Sequence, residues 1–447
     1  MALTALEIYK HLPKTNCREC GFPTCLAFAM QLAAKRASLD QCPHVSEEAR
    51  AALEGASAPP MRLVTIGAGE KKKLEIGNET VLFRHEEKFY HPVGIAVEIR
   101  DELSDEEVEE RTEYINNLRF ERVGTEIEVD LVAVRNSSGD PGRFREVVER
   151  VDKISRFPLI LISDDPHALH GAAEVAKDGR PLLYAANGGN WEQVGATAKE
   201  FGCPLAVYGE SLEELAELTG KLTSMGVEEL VLDPGTRHPR EALERLTLMR
   251  RLALKKNFRP LGYPTIAFTS DGDPYQEAAE ASLYIAKYAG ILVLRNAQTW
   301  QVLPLLTERY NIYTDPQKPI QVEPGVYEIG EVTEASPVLV TTNFSLTYYT
   351  VAGDVEASRV PSYIIVVDTE GTSVLTAWAA DKFTPEKVAE MLNEKTNIKD
   401  KVKHRKVVIP GLVAVMTAKL KEESGWEVLV GPRESSGIPK FLKAWTV

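Results

Sequence analysis

The fold is decided by a repeating unit that reads Pro204-Leu-Ala-Val-Tyr208, then Ser211-Leu-Glu-Glu-Leu-Ala-Glu-Leu-Thr-Gly-Lys-Leu-Thr223, and then Glu229-Leu-Val-Leu232. The outer pieces are short apolar runs typical of buried strands, and the middle piece has the period of an amphipathic helix. Strand, helix and strand in this order predict a parallel β/α unit.

This unit recurs from about residue 92 to residue 310. The eight predicted strands are Val93–Val97, Glu128–Val134, Leu159–Ile162, Pro181–Ala185, Pro204–Tyr208, Glu229–Leu232, Thr265–Phe268 and Ile291–Leu294. Eight units in a single series predict a (β/α)8 TIM barrel more strongly than a doubly wound sheet.

The composition excludes several classes of protein. The chain has 447 residues, of which 44% are hydrophobic and 26% charged, which is typical of a globular protein of about three domains. A net charge of −14 disfavours nucleic acid and anionic membranes as partners. The apolar run Phe157–Ile162 is far shorter than the ~20 residues of a membrane helix, and Glu7 interrupts any signal peptide. We therefore expect a cytoplasmic protein that does not bind membranes or nucleic acid.

Four of the five cysteines lie close together, with the spacing Cys17-x2-Cys20-x4-Cys25-x16-Cys42. Three cysteines in one loop and a fourth farther along fit a [4Fe-4S] cluster better than structural zinc, which usually has two matched Cys-x2-Cys pairs. Zinc and free reduced thiols are the alternatives. The fifth, Cys203, is expected to be a small apolar residue at the start of a strand.

A second α/β region follows the barrel. Its predicted strands are Pro337–Thr342, Ser362–Asp368, Lys406–Ile409 and Glu427–Val430. Loops rich in Gly, Ser and Thr follow these strands, and such loops offer backbone N–H groups and hydroxyls to a large polar ligand. We therefore predict a ligand cleft at the carboxyl edge of this sheet, although the loops could also be simple turns.

The chain is thus predicted to be an α/β protein of several parts. These are a cluster domain at 1–58, a linker with a hairpin at 59–91, the barrel at 92–318 and a Rossmann-like domain at 323–447.

Carboxylates such as Asp164, Asp233 and Asp271 follow strands of the barrel, where barrel enzymes carry their active sites. A free-standing barrel enzyme therefore stays an alternative, as does an electron-transfer scaffold that binds no further cofactor. Acidic residues at these positions are also common as helix caps.

Together, the three parts resemble the large (gamma) subunit of the corrinoid iron-sulfur protein of the acetyl-CoA synthase/decarbonylase system. The motifs that carry the resemblance are Leu12-Pro-Lys-Thr-Asn-Cys-Arg-Glu-Cys-Gly-Phe-Pro-Thr-Cys25, Thr341-Thr-Asn-Phe-Ser-Leu-Thr-Tyr-Tyr349 and Gly431-Pro-Arg-Glu-Ser-Ser-Gly437. The resemblance implies a methyl carrier of the reductive, CO2-fixing acetyl-CoA pathway in anaerobes, classed with corrinoid-dependent methyltransferases.

The family implies two cofactors. By similarity, Cys17, Cys20, Cys25 and Cys42 ligate the [4Fe-4S] cluster. A cobamide is expected to contact Thr341, Thr347, Gly371, Thr372, Ser373, Val374 and Glu434, with Arg433 and Thr376 as weaker candidates. No catalytic residue of the chain itself is expected.

The resemblance also implies how these cofactors work. The cobamide is expected to be base-off and His-off, since Co(I) forms more readily when cobalt has lost its lower ligand, and the cluster is expected to reactivate Co(II). The C-terminal region contains only His404, and Asp165-Pro-His-Ala-Leu-His-Gly171 departs from the cobalt-ligating Asp-x-His-x-x-Gly motif because its glycine comes one position late.

The expected partners follow from the same resemblance. They are a small subunit that forms a heterodimer with this chain, a methyltetrahydrofolate:corrinoid methyltransferase, CO dehydrogenase/acetyl-CoA synthase and a reductive activator protein.

Overall fold

The computed structural model describes residues 5–33, 37, 39–46, 49, 59–270, 272–316 and 319–445. The chain forms two compact units, Met1–Arg119 with Glu128–Tyr313, and Phe120–Ile127 with Thr314–Val447. The predicted domain boundaries are finer than this division and stay predictions.

The N-terminal module contains two short helices, α1 (Ala5–His11) and α2 (Cys25–Ala33). Helix α2 begins at Cys25, and the Cys25 N–H donates to Asn16 Oδ1 at 2.8 Å. The intervening loop curls through left-handed residues, among them Gly21 with φ +83°. The helices and the loop enclose a small apolar core that includes Ile8 and Phe28.

The rest of the first unit is a hairpin and a barrel, while a second hairpin, formed by residues 119–122 and 125–128 between two barrel strands, falls largely in the second unit. The strands are β1 (Leu63–Ile66), β2 (Leu74–Gly77), β3 (Gly94–Arg100), β4 (Arg119–Arg122), β5 (Thr125–Glu128), β6 (Leu131–Arg135), β7 (Leu159–Ile162), β8 (Leu182–Ala186), β9 (Leu205–Tyr208), β10 (Leu230–Asp233), β11 (Ile266–Phe268) and β12 (Ile291–Leu294). The helices are α3 (Asp105–Asn116), α4 (Pro141–Ile154), α5 (Pro166–Ala176), α6 (Trp191–Phe201), α7 (Leu212–Ser224), α8 (Pro239–Lys256), α9 (Pro274–Ala286) and α10 (Thr299–Tyr313).

Eight of these strands form one parallel sheet in the order β10-β9-β8-β7-β6-β3-β12-β11. A parallel bridge between Leu232 and Thr265 joins the two ends, so the sheet closes into a barrel. The predicted TIM barrel is confirmed, and each predicted strand overlaps an observed one. These strands could be predicted because they are continuous apolar runs in the sequence, as expected for strands of a parallel barrel that are buried on both faces.

The hairpin predicted after the linker is also present, as β1 and β2. Its residues Val64, Ile66 and Ile76 pack into the same core as the barrel residues Ala96 and Ile160. The charged turn is held by ion pairs of Lys71 and Lys72 with acids that include Asp152 and Glu128. The turn is therefore part of the barrel's packing and not a nucleotide-binding loop.

The second unit has a five-stranded sheet with the order β13-β15-β14-β16-β17. The strands are β13 (Gly325–Ile329), β14 (Val338–Thr342), β15 (Ser362–Val367), β16 (Lys406–Ile409) and β17 (Glu427–Val430). The helices are α11 (Ser345–Ser358), α12 (Val374–Ala379), α13 (Pro385–Glu390), α14 (Ile398–Lys401), α15 (Thr417–Ser424) and α16 (Ile438–Lys443). All four predicted strands are present, and β13 adds an antiparallel edge.

Two apolar cores cover the faces of this sheet. One face carries Val338 and Val340 against residues of α12 to α15, such as Leu420. The other carries Leu339 against α11 and α16. The connection from β14 to β15 therefore crosses one face, and the connections from β15 to β16 and from β16 to β17 cross the other. This is the arrangement of a doubly wound α/β domain, and the order of strands reverses beside β14.

Candidate functional site

A cleft opens at the carboxyl edge of the second sheet, beside the point where the strand order reverses. Ligands of open α/β sheets bind at this position. The cavity has a volume of about 320 Å³, and its lining includes Thr341, Thr347, Ser373 and Val374. Four of the residues predicted for a cofactor therefore surround one cleft, supplied by the end of β14 and the starts of α11 and α12.

The chemistry of the cleft suits a large, mostly apolar ligand with polar edges. Its floor is aliphatic, with Leu339 and Val408, and its rim carries the exposed side chains of Leu346 and Leu375. Hydroxyls of Thr341, Thr347, Thr350, Ser373 and Ser435 complete the lining.

One of these hydroxyls is unsatisfied. Thr341 is 1% exposed, and its Oγ1 has no hydrogen-bond partner among the described residues. An unpaired buried hydroxyl costs stability, so its retention beside a cavity points to a partner on a ligand. The residues present therefore fit a bound cofactor with hydrogen-bonding groups at its edge.

The predicted residues Gly371 and Thr372 lie in the turn before α12 but are not part of the cleft lining. The Gly371 N–H donates to Asn343 Oδ1 at 3.0 Å, and the Thr372 hydroxyl donates to the Thr369 carbonyl at 2.7 Å. These groups hold the turn and are not free for a ligand. The predicted residue Glu434 is exposed and lies next to the lining residue Arg433, while Thr376 contacts Ser373 at 3.2 Å.

Sequence reasoning missed Asn343 as a functional residue. Its Oδ1 accepts from the Thr369 N–H, the Thr369 hydroxyl and the Gly371 N–H, at 2.9, 2.9 and 3.0 Å. Its Nδ2 donates to Gln321 and Asp368, both at 3.1 Å. Only its position directly after a predicted strand, in a Thr-Thr-Asn run, could have drawn attention to this buried side chain.

The single histidine of the second unit lies away from the cleft lining. His404 is buried before β16, where its Nε2 contacts the Ser336 carbonyl at 2.9 Å and its Nδ1 accepts from the Lys406 N–H at 3.1 Å. Both ring nitrogens are therefore occupied. In the barrel, Asp165 accepts from the His167 N–H and caps α5, as expected for a helix start rather than a cobalt motif.

The cysteine module brings three thiols into one apolar core. Cys25 and Cys42 are buried and Cys20 is partly buried, and all three pack with Phe28 in the N-terminal core. Cys17 is exposed. Fe–S clusters are held by cysteine thiolates and are tuned by burial, so this donor set fits a cluster.

The exposed cysteine has two polar neighbours. Single ligand atoms of Cys17, Glu19 and His44 lie within 4.8 Å of one another, and His44 Nε2 is 2.8 Å from Glu19 Oε2. His44 is a surface residue. Cys203 is buried before β9, and burial raises the pKa of its thiol to about 11, so it stays protonated and inert.

The barrel carboxylates do not form an evident catalytic group. Asp233 is fully buried, and its carboxylate accepts from the Tyr184 hydroxyl at 2.5 Å and from both terminal nitrogens of Arg237 at 3.1 and 2.9 Å. Burial, together with the charge of Asp233, raises the pKa of Tyr184 well above its usual value. Asp164 is exposed, and Asp271 lies outside the described residues.

No helix among the described residues is both long and apolar enough to cross a bilayer.

These features define a class of protein: an α/β protein that combines a cysteine-rich module, a TIM barrel and a doubly wound domain with a ligand cleft. Residues 63–442 match the family described as "CO dehydrogenase/acetyl-CoA synthase delta subunit", and residues 12–44 match the one described as "Putative Fe-S cluster".

Relatives match over nearly the whole chain. The chain is 52% identical to the "Corrinoid/iron-sulfur protein large subunit" of Moorella thermoacetica, with 99% of each chain covered. It is 40% identical to the "Acetyl-CoA decarbonylase/synthase complex subunit gamma" of Methanothermobacter thermautotrophicus, again with 99% of each covered. The corresponding subunit of Archaeoglobus fulgidus is 38% identical, with 98% of each covered.

The chain therefore belongs to the family of corrinoid/iron-sulfur protein large subunits and acetyl-CoA decarbonylase/synthase gamma subunits. The family expected from the sequence motifs is confirmed.

Proposed function

We propose that this chain is the methyl carrier of an acetyl-CoA synthase/decarbonylase system. It would receive a methyl group from methyltetrahydrofolate through a methyltransferase and deliver it to acetyl-CoA synthase. The observation that carries the proposal is the cleft beside β14, with its aliphatic floor and its unpartnered Thr341 hydroxyl, in a chain whose relatives are named as corrinoid proteins.

The cleft is where a cobamide would bind. Thr341, Thr347, Ser373 and Val374 would contact it directly, because they line the cavity. Gly371 and Thr372 would act by holding the turn that places Ser373, and Glu434 would act at the outer edge. When bound, a cobamide supplies a cobalt centre that is nucleophilic in its reduced state.

The described residues of the second unit offer this cobalt no histidine ligand. His404 is the one histidine between Thr314 and Val447, and both of its ring nitrogens are hydrogen-bonded to the backbone. The side chains of the cleft lining contain no imidazole or thiol. This lining supports a His-off cobamide. We propose that the cofactor's own base is also detached, because a cobamide without a strong lower ligand is easier to reduce.

The N-terminal module would hold a [4Fe-4S] cluster through Cys17, Cys20, Cys25 and Cys42. Cys25 and Cys42 are buried, Cys20 is partly buried and Cys17 is exposed, so these residues would hold a cluster within reach of an external electron donor on the side of Cys17. Such a cluster would serve the reductive recovery of oxidised cobalt.

The proposal implies a heterodimer with a small subunit and encounters with three further proteins. These are the methyltransferase, CO dehydrogenase/acetyl-CoA synthase and a reductive activator. The exposed leucines at the cleft rim, Leu346 and Leu375, suit a site that a partner covers during methyl transfer.

The test distinguishes the role of the cobamide from the role of the cluster. The chain is co-purified with the small subunit without oxygen, reconstituted with a cobamide, and compared with the variant Cys17→Ala. We expect the variant to accept a methyl group after chemical reduction to Co(I) but not to recover from Co(II) by protein-mediated electron transfer.

Two results would contradict the proposal. Failure of the unaltered protein to retain a cobamide would refute the methyl carrier. Equal loss of both activities in Cys17→Ala would indicate that the metal centre is only structural.

A further inference from the structure

The cleft has one charged lining residue, Arg433. Every other residue that lines it is aliphatic, hydroxylated, glycine or proline. Among the described residues, no carboxylate forms an ion pair with Arg433, and its sequence neighbour Glu434 is not part of the lining. The guanidinium is therefore open to solvent at the rim of the cleft, without a carboxylate partner among the described residues, and is available to an anionic group of a ligand.

The backbone that carries Arg433 is fixed. The Gly431 N–H donates to the Ile409 carbonyl at 2.9 Å, and the Gly411 N–H donates to the Pro432 carbonyl at 3.1 Å. The two loops pack so closely that a Cβ on Gly411 would lie 2.9 Å from the Arg433 nitrogen. Arg433 is thus held at the rim by β16 and β17, although its side chain is exposed.

An uncompensated guanidinium beside an apolar cavity favours a ligand with an anionic group. The whole chain carries a charge of −14, which disfavours anions in general, so a local cation is needed to accept one. Guanidinium groups bind phosphate oxygens through two parallel hydrogen bonds. Hydroxyls of Ser435 and Thr347 line the same cleft and can donate to further phosphate oxygens.

We propose that Arg433 recognises the phosphate of the ligand's nucleotide loop and so selects complete cobamides over corrinoids that lack this phosphate. The inference rests on the proposed function, because it assumes that the ligand of the cleft is a corrinoid. A cobamide carries a single phosphodiester between its corrin side chain and its lower base. This anionic group would pair with the Arg433 guanidinium, which has no carboxylate partner among the described residues.

The test uses the full chain co-purified with its small subunit, without oxygen and without cofactor, in phosphate-free buffer. Three probes are titrated and followed by their visible spectra: cobinamide, cobinamide phosphate and cobalamin. The first two differ only by the phosphate. We expect the unaltered chain to bind cobinamide phosphate about tenfold more tightly than cobinamide, as for one charge-assisted contact.

The variants isolate the arginine. Arg433→Gln should remove this tenfold preference and weaken cobalamin binding by a similar factor, while cobinamide binding stays unchanged. Arg433→Lys should keep part of the preference, because lysine keeps the charge but not the planar fork. Arg359→Gln is the matched control: it removes an exposed arginine at the C-terminal end of α11 and should change nothing.

The outcomes are distinct. Equal affinity of the unaltered chain for cobinamide and cobinamide phosphate, or an Arg433→Gln variant that weakens both alike, overturns the role of Arg433 while leaving the proposed function standing. An unaltered complex of chain and small subunit that binds none of the three probes overturns the proposed function itself.

Discussion

Thr341 and Thr342 are neighbours on β14, and each buries a hydroxyl that has no hydrogen-bond partner among the described residues. They point to opposite faces of the sheet, because side chains alternate along a strand. Thr341 lines the cleft and Thr342 does not. Substitutions at the two residues can therefore distinguish the effect of an unsatisfied hydroxyl on stability from its effect on ligand binding.

We expect Thr341→Val to stabilise the cofactor-free chain by about 1 kcal/mol, because it removes an unsatisfied buried hydroxyl with little change of shape. The same change should weaken cobamide binding by roughly fivefold, because valine has no hydroxyl to hydrogen-bond with the ligand. Thermal unfolding and a spectral titration measure the two effects.

The matched control is Thr342→Val. It should stabilise the cofactor-free chain by a similar amount and leave the affinity for cobamide unchanged. A Thr341→Val variant that binds as tightly as the unaltered chain would remove this hydroxyl from the site.

The predicted site residues that line the cleft follow strand ends in runs of hydroxyl residues, and such runs are visible in a sequence. The role of Asn343 was not visible, because it depends on Thr369 and Gly371, which are 26 and 28 positions away in the chain. Arg433 was a weaker candidate from the sequence, and it lines the cleft. That it is the one cation among the lining residues could not be predicted, because this depends on which other residues surround the cavity.

The turn from Thr369 to Ser373 is an element whose shape depends on one buried side chain. Replacing Asn343 by Ala leaves the N–H groups of Thr369 and Gly371 without their acceptor, which should destabilise the second unit by about 2 kcal/mol. We expect faster amide hydrogen exchange in peptides that cover this turn, and weaker cobamide binding.

Asn393→Ala provides the comparison. Asn393 also makes two side-chain hydrogen bonds in the second unit, to the Ser424 carbonyl and from the Trp426 indole, and it does not line the cleft. It should lower stability without faster exchange confined to 369–373. Equal exchange in that turn for Asn343→Ala and the unaltered chain would contradict the positioning role.

The strands that sequence patterns missed share a physical cause. Strand β13 is an antiparallel edge whose residues are half-buried, as at Val326 and Tyr327, so it lacks a continuous apolar run. The hairpin of β4 and β5 begins Arg119-Phe-Glu-Arg122 and is largely exposed. Edge strands and exposed hairpins carry little hydrophobic signal, whereas strands such as β15, buried along its whole length, carry a strong one.

The molecule as a whole joins a cysteine module to a cleft at opposite ends of its sequence. If the module holds a cluster, Cys17→Ala should lower the iron content well below the value of the unaltered chain, because one of its four ligands is lost. Cys203→Ala should leave iron unchanged, since that buried thiol stays protonated, with a pKa raised to about 11 by burial. Iron analysis of the two variants measures the difference.

Equal iron in Cys17→Ala and Cys203→Ala would remove Cys17 from the ligand set. Cys17 suits this experiment better than Cys25 or Cys42, because it is exposed and its loss leaves no cavity in the small N-terminal core.

The most direct measurement is a visible spectrum and metal analysis of the chain and its small subunit, purified together without oxygen. We predict a coloured protein with about four irons and about one cobalt per chain, as expected for one [4Fe-4S] cluster and one cobamide. A colourless protein that contains zinc and no corrinoid would contradict the account.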